Sequence, residues 1–126
     1  MKHVTALIDS IPIELNIPEE EAEFREGVRL SGGTLREQEG YLFNFPQPSI
    51  LYFENCNVDE DITLLFFHPF VESRMGVVTG VKKLKARDVK IVSSDNVFSV
   101  ALELRTDFCT KYNIKEGSIL SLSEEM

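Results

Sequence analysis

The sequence has little cysteine and little histidine: of its 126 residues, two are cysteine and two are histidine. Cys56 and Cys109 lie far apart and lack CxxC spacing, which favours reduced thiols in a cytoplasmic protein over a disulfide framework. Two cysteines and two histidines without finger or ribbon spacing also argue against structural zinc. We therefore expect a fold that holds without a disulfide or a metal.

The sequence also lacks an export signal and a long apolar run. Residues 1–8 have neither the apolar core nor the small-residue cleavage site of a signal peptide. The uncharged apolar stretch at residues 62–71 includes a histidine and a proline and is about half as long as a membrane span. We therefore expect a cytoplasmic protein without a membrane partner.

Basic residues are in the minority, 13 against 21 acidic ones, which gives a formal net charge of −8. This charge repels phosphate backbones, so nucleic-acid binding is disfavoured. The composition is 43% apolar and 27% charged, without an internal repeat or linker, which predicts one globular domain over residues 1–126. Size scaling predicts a folded accessible surface of roughly 6,800 Å² against about 20,700 Å² for the unfolded chain.

The first third of the chain predicts a strand and a short helix. Apolar residues alternate with others over Ile11–Ile17, the pattern of a strand with one buried face, and Pro12 places that strand at a sheet edge. Pro18 and the glutamates that follow it predict a helix from Pro18 to about Glu26, closed by Gly27. The Ser-Gly-Gly sequence at 31–33 predicts a turn rather than a phosphate-binding loop.

From Gly40 onward, aromatic and β-branched runs separated by turn residues predict several strands in succession. These are Tyr41–Phe45, Ile50–Phe53, Ile62–Phe67, Gly76–Leu84, Val89–Val92 and Val97–Leu104. Thr106 caps a predicted second helix, Asp107 to about Tyr112, and a turn at 116–117 precedes a last strand, Ser118–Leu122. Many short strands, two short helices and no regular βαβ alternation predict a β-rich α+β fold, a small closed β-barrel.

Three blocks of sequence carry a resemblance to a known family. They are Gly27–Val28 followed by Gly40–Pro46 (GYLFNFP), then Leu51–Leu64, and finally Leu102–Leu104 (LEL) followed by Tyr112–Gly117 (YNIKEG). The chain is similar in these blocks to a bacterial and archaeal family called domain of unknown function 192, over residues 11–122. It departs from the family at Tyr52, where Trp is usual, and at Glu54, where Lys is usual. The resemblance implies a barrel-like fold and no particular activity.

The most polar segment between strands, Glu54–Asp61, supplies most of the candidate ligand-binding residues. The full set is Tyr52, Glu54, Asn55, Cys56 and Asp61, with Arg29 from the first block as an anion-facing neighbour. The alternating Asn and Asp residues resemble a calcium loop, but the positions that need Gly and Glu hold Glu60 and Phe66. An Asx-rich turn is therefore favoured, and we predict no metal and no cofactor.

Two catalytic alternatives stay open. Glu54 and Asp61 bracket one turn and suit general acid and base roles, with His68 as a third residue, in a small hydrolase or a metal-assisted enzyme. Cys56 suits a nucleophile if the fold brings it beside His68. Nothing in the sequence orients either set, and a carboxylate such as Asp61 before a buried strand equally suits a turn-fixing role.

One segment reverses the overall charge. Residues 81–90 hold five basic residues against Asp88, a local charge of +4, which leaves −12 for the rest of the chain. Such lysines protect an exposed strand edge from aggregation, and they also suit an acidic partner or a second copy in a homo-oligomer. The sequence favours a binding or accessory module over an enzyme, with an unidentified small molecule or protein as its partner.

Overall fold

In the computed structural model, which describes residues 1–126, nine strands and two short helices follow one another along the chain. The strands are β1 (Lys2–Ile8), β2 (Ile11–Ile17), β3 (Glu39–Ser49), β4 (Tyr52–Phe53), β5 (Ile62–Val71), β6 (Met75–Leu84), β7 (Val92–Ser93), β8 (Phe98–Arg105) and β9 (Ile119–Leu122). The helices are α1 (Glu21–Glu26) and α2 (Thr106–Lys111), and a 3₁₀ turn, Gly27–Ser31, follows α1.

Seven strands close into a barrel in the order β1-β2-β3-β8-β5-β6-β9, and β9 pairs with β1. Every neighbouring pair is antiparallel except β2 and β3, which run parallel. The two short strands β4 and β7 form a separate two-stranded sheet. The predicted fold, a small closed β-barrel with two short helices, is confirmed.

The N-terminal part of the barrel differs from the prediction in three details. Residues 2–8 form a strand that was not predicted, with alternate apolar side chains buried. The strand with Pro12 pairs on both sides, so it is not an edge strand, but its ladder with β3 covers only Glu14–Asn16 and leaves the proline outside it. α1 begins at Glu21 instead of Pro18, and the carboxylate of Glu23 accepts the N–H groups of Glu19 and Glu20.

The molecule has two hydrophobic cores, one on each side of β3, β8 and β5. Inside the barrel lie side chains such as Leu42, Leu65 and Leu102, and on the outer face lie Phe43 and Leu64. Because successive residues of a strand point to opposite sides, burial on both faces requires the nearly unbroken apolar runs of these strands. The barrel therefore has one wall that is closed off from solvent on its outside as well.

Three chain segments, residues 18–38, 50–61 and 85–97, lie over that outer wall, and we refer to them as the cover. Hydrogen bonds join the segments: the Asp59 N–H donates to the Gly33 carbonyl at 2.8 Å, and the Arg87 N–H donates to the Val58 carbonyl at 2.8 Å. The buried Asn55 amide donates to the carbonyls of Glu60 and Lys85 at 2.9 and 3.0 Å. The cover is thus one connected layer rather than three independent loops.

The accessible surface of 6785 Å² agrees with the value that size scaling predicts. Both cysteines are free thiols, and Cys109 is one of the two buried residues of α2. Each helix has six residues, and none has the length and apolar character needed to cross a bilayer.

Candidate functional site

A pocket of about 370 Å³ lies between the cover and the outer face of the barrel. Its walls are mainly aromatic and apolar, supplied by Phe24, Val28, Phe43, Phe45, Tyr52, Phe53, Val58 and Ile91. Five charged side chains also line it: Arg25, Glu26, Arg29, Glu54 and Glu103. The pocket therefore draws on α1, the 3₁₀ turn, β3, β4 and β8, together with the loops of the cover.

The aromatic rings pack against one another and form a continuous wall. The centroids of Phe24 and Phe45 lie 5.4 Å apart, and those of Phe43 and Phe53 lie 5.7 Å apart in an edge-on arrangement. These separations fall within the range of favourable aromatic contacts. The rings, which are mostly tilted or edge-on to one another, present one shared apolar surface to the pocket.

Glu103 lies on the outer face of β8, opposite Tyr41 of β3 and Leu64 of β5. Only 6% of the residue is exposed, and its carboxyl makes no hydrogen bond or ion pair within the protein. Gly27 leaves room for it, because a Cβ atom there would stand 3.2 Å from Glu103 Oε1 and 3.2 Å from the Phe43 ring. The result is a carboxyl group at the pocket floor without a protein partner.

Burial raises the pKa of Glu103 to about 8, because water no longer stabilises the charged form. The positive charge of Arg29 opposes this rise in pKa, and the negative charge of Glu54 adds to it. At pH 7 the group is therefore mostly a neutral acid. A neutral carboxyl can donate one hydrogen bond and accept others, so the pocket floor offers both functions to a ligand.

Arg29 connects the 3₁₀ turn to the turn after β4. One of its terminal nitrogens donates to Glu54 Oε1 at 2.8 Å and to the Cys56 carbonyl at 2.9 Å. The other donates to the Arg25 carbonyl at 2.6 Å, and Nε lies 3.5 Å from the Glu26 carboxylate. Arg29 was predicted to face an anion; it faces the carboxylates of Glu54 and Glu26, and three of its five N–H groups donate to protein acceptors. These contacts make it a clamp on one side of the pocket.

The structure divides the remaining sequence-predicted binding residues into two groups. Tyr52 and Glu54 line the pocket with Arg29. Asn55, Cys56 and Asp61 do not line it, since Asn55 is buried among loop carbonyls and the Cys56 N–H donates to the Glu54 carboxylate. Asp61 accepts the Ala86 N–H at 2.8 Å. These three residues bind the loops of the cover to one another.

The acid–base set of Glu54, Asp61 and His68 is not assembled. His68 is exposed in the second half of β5, and Asp61 immediately precedes that strand. Seven residues at about 3.3 Å each place them roughly 23 Å apart along the chain, beyond any direct contact. Glu54 is held in its ion pair with Arg29. No group of three or more His, Cys, Asp or Glu side chains is arranged to hold a metal ion.

The lysine-rich segment begins on β6, beyond the part of that strand that pairs with β9. That pairing covers only Met75–Val77, so the later residues of β6 have β5 on one side and no strand on the other. Lys82 lies 2.9 Å from the Asp95 carboxylate, and Arg87 lies 2.8 Å from that of Asp59. These positions agree with protection of an open strand edge.

Of the fourteen residues that line the pocket, the sequence reasoning named Arg29, Tyr52 and Glu54, and Glu103 is the most important of those it missed. It was noted only as the middle residue of the Leu-Glu-Leu block. The signal that was available is a single carboxylate within the apolar run Val100–Leu104, which is unusual for a strand buried on both faces. Gly27 was interpreted as a helix stop alone, whereas its missing side chain also makes room for Glu103.

No protein-family model matches this chain, and no curated protein matches it, so the resemblance to domain of unknown function 192 stays a prediction. Among solved structures, a protein of Sinorhizobium meliloti 1021 called a "putative transcription regulator" is similar, with a TM-score of 0.74 and 14% identity over 96% of this chain and 92% of that one. A protein of unknown function from Novosphingobium aromaticivorans DSM 12444 gives a TM-score of 0.71 and 18% identity over 94% and 83%. At these identities the similarity shows a shared fold.

Proposed function

We propose that this chain is a small-molecule-binding module whose ligand occupies the pocket between the cover and the barrel. The observation that carries the proposal is the carboxyl of Glu103, which is buried at the pocket floor and has no partner within the protein. The carboxyl lines the pocket, so a group that enters the pocket can reach it. A ligand that hydrogen-bonds to this acid supplies the partner that the protein does not.

The remaining features of the pocket support the same function. Its volume is at the lower end of the range for small-molecule sites, and apolar walls with few polar groups are typical of such sites. Two apolar side chains at its lining are largely exposed, Tyr52 at 69% and Ile91 at 65%. A bound ligand would remove part of this apolar surface from water.

Membership of domain of unknown function 192 is likewise a proposal, and it is compatible with a binding site at this position. Each of the three blocks that carry the resemblance contributes to the pocket, through Gly27 and Phe43 from the first, Glu54 from the second and Glu103 from the third. Glu54, which stands where the family has Lys, pairs here with Arg29.

The proposal is tested by a thermal-shift screen of the purified chain against small aromatic compounds. A compound at about a hundred times its dissociation constant should add roughly 2.7 kcal/mol to the free energy of unfolding. Ile91 and Val89 provide a matched pair, because both are exposed in the same loop and only Ile91 lines the pocket. We expect Ile91→Ser to reduce the shift and Val89→Ser to leave it unchanged. The proposal is wrong if no compound raises the melting temperature, or if both variants retain the full shift.

A further inference from the structure

The inference concerns the head group of the ligand and therefore rests on the proposed function. Three carboxyl groups line the pocket, from Glu26, Glu54 and Glu103, against two guanidinium groups. The charge of Arg29 is paired with the carboxylates of Glu54 and Glu26, and Arg25 is exposed to solvent, where water screens its charge. An anionic ligand would thus meet the Glu103 carboxyl at the pocket floor and no buried positive charge that lacks a carboxylate partner.

A ligand that carries a positive charge meets the opposite situation. The Glu103 carboxyl lacks a donor, and an ammonium group brings up to three. An opposite charge in contact with a buried carboxyl favours its ionised form and offsets the cost of burial. Aromatic faces also attract cations, and Phe43, Phe45 and Phe53 supply such faces in the same pocket.

We propose that the pocket binds a protonated amine carried on an apolar group, with the ammonium on the Glu103 carboxylate and the apolar group against the phenylalanine wall. Free Glu103 holds its proton, the ligand arrives as R–NH₃⁺, and the complex holds a carboxylate and an ammonium. The carboxyl proton leaves to the solvent, so one proton is released for each neutral Glu103 that binds a ligand.

Binding should therefore depend on pH in a defined way. The charged or titratable groups that act on Glu103 are Arg29 of the 3₁₀ turn, Glu54 of the turn after β4, and Tyr41 of β3. Below the pKa of Glu103, each unit of pH should tighten the binding of an amine about tenfold, because a proton must leave. Above that pKa the affinity should level off. An alkyl ammonium stays protonated over this range, as a lysine side chain does.

The test uses three probes that share a benzyl group: benzylamine, benzyl alcohol and phenylacetate. Each is titrated into ¹⁵N-labelled protein, and dissociation constants are taken from amide chemical shifts of pocket residues at pH 6, 7 and 8. We expect benzylamine to bind at least ten times more tightly than benzyl alcohol at pH 8, and phenylacetate to bind most weakly. Only the dissociation constant of benzylamine should fall as the pH rises.

The Glu103→Gln variant separates the contribution of the ligand's head group from that of the apolar pocket walls. In this variant we expect benzylamine to lose its advantage and its pH dependence, while benzyl alcohol still binds; the exposed Glu116→Gln serves as the control. Equal affinity of the three probes, or a preference for phenylacetate, overturns the amine proposal and leaves the proposed function in place. Absence of binding by all three probes at all three pH values counts against both.

Discussion

Replacing Glu103 with glutamine should change the pH dependence of stability in one direction and by a large amount. The folded-state pKa is raised from its ordinary value of 4.5 to about 8. Between these two pH values the Glu103 carboxyl is ionised in the unfolded chain and protonated in the folded chain. Its contribution to the free energy of unfolding is therefore complete below pH 4.5 and is lost as the pH rises through 8. The whole loss amounts to about 5 kcal/mol, of which about 3 kcal/mol has occurred by pH 7.

Glutamine occupies nearly the same volume and has no proton to lose. We therefore expect Glu103→Gln to match the parent near pH 4 and to exceed it by about 5 kcal/mol near pH 9. The measurement is urea unfolding followed by far-UV circular dichroism at half-unit steps from pH 4 to 9. The difference in free energy of unfolding between the two proteins cancels the effects that the histidines and the exposed acids have on both. For the control variant Glu116→Gln, this difference should not change with pH. A difference for Glu103→Gln that changes by less than 1 kcal/mol across this range would refute the reasoning.

Two further predictions follow from thiol burial and from the turn glycines. Because Cys109 is buried and its pKa is raised to about 11, one thiol, that of Cys56, should react with a disulfide reagent at pH 8 in native protein, and the second only in denaturant; equal rates would contradict this. A Cβ at Gly33 would stand 2.5 Å from the Asn57 carbonyl oxygen, whereas Gly32 has open space and a similar positive φ. In urea melts, Gly32→Ala should cost about 1 kcal/mol and Gly33→Ala about 3 kcal/mol or more, and equal costs would show that the loop yields.

The barrel could be predicted because its signals are local. Apolar runs separated by turn residues indicate strands wherever the chain crosses the sheet, and the predicted strands all overlap observed ones. The first strand, Lys2–Ile8, was missed although its buried residues alternate, since the segment was considered only as an export signal. The strand predicted over Tyr41–Phe45 continues through Pro46 and Pro48 to Ser49, across a register shift.

The pocket could be predicted only in part, because its residues are far apart in sequence. Arg29, Tyr52 and Glu54 were named from polarity and motif position, and they do line it. Asn55 and Asp61 have the same polarity, but their side chains satisfy backbone groups of neighbouring loops instead. Which polar side chain faces a cavity and which fixes a loop depends on three-dimensional packing, and sequence spacing does not report it. Glu103 was overlooked for the same reason.

The cover over the outer wall has a consequence for the order of folding. The segments that build the pocket, from Phe24 to Glu103, meet only when β3, β8 and β5 are already side by side. The barrel itself closes between β1 and β9, at opposite ends of the chain. Contacts between distant residues require loop closure before they contribute, and chains rich in them fold slowly. We expect the ability to bind a ligand to be the last property acquired during refolding, well after most of the strand signal has formed.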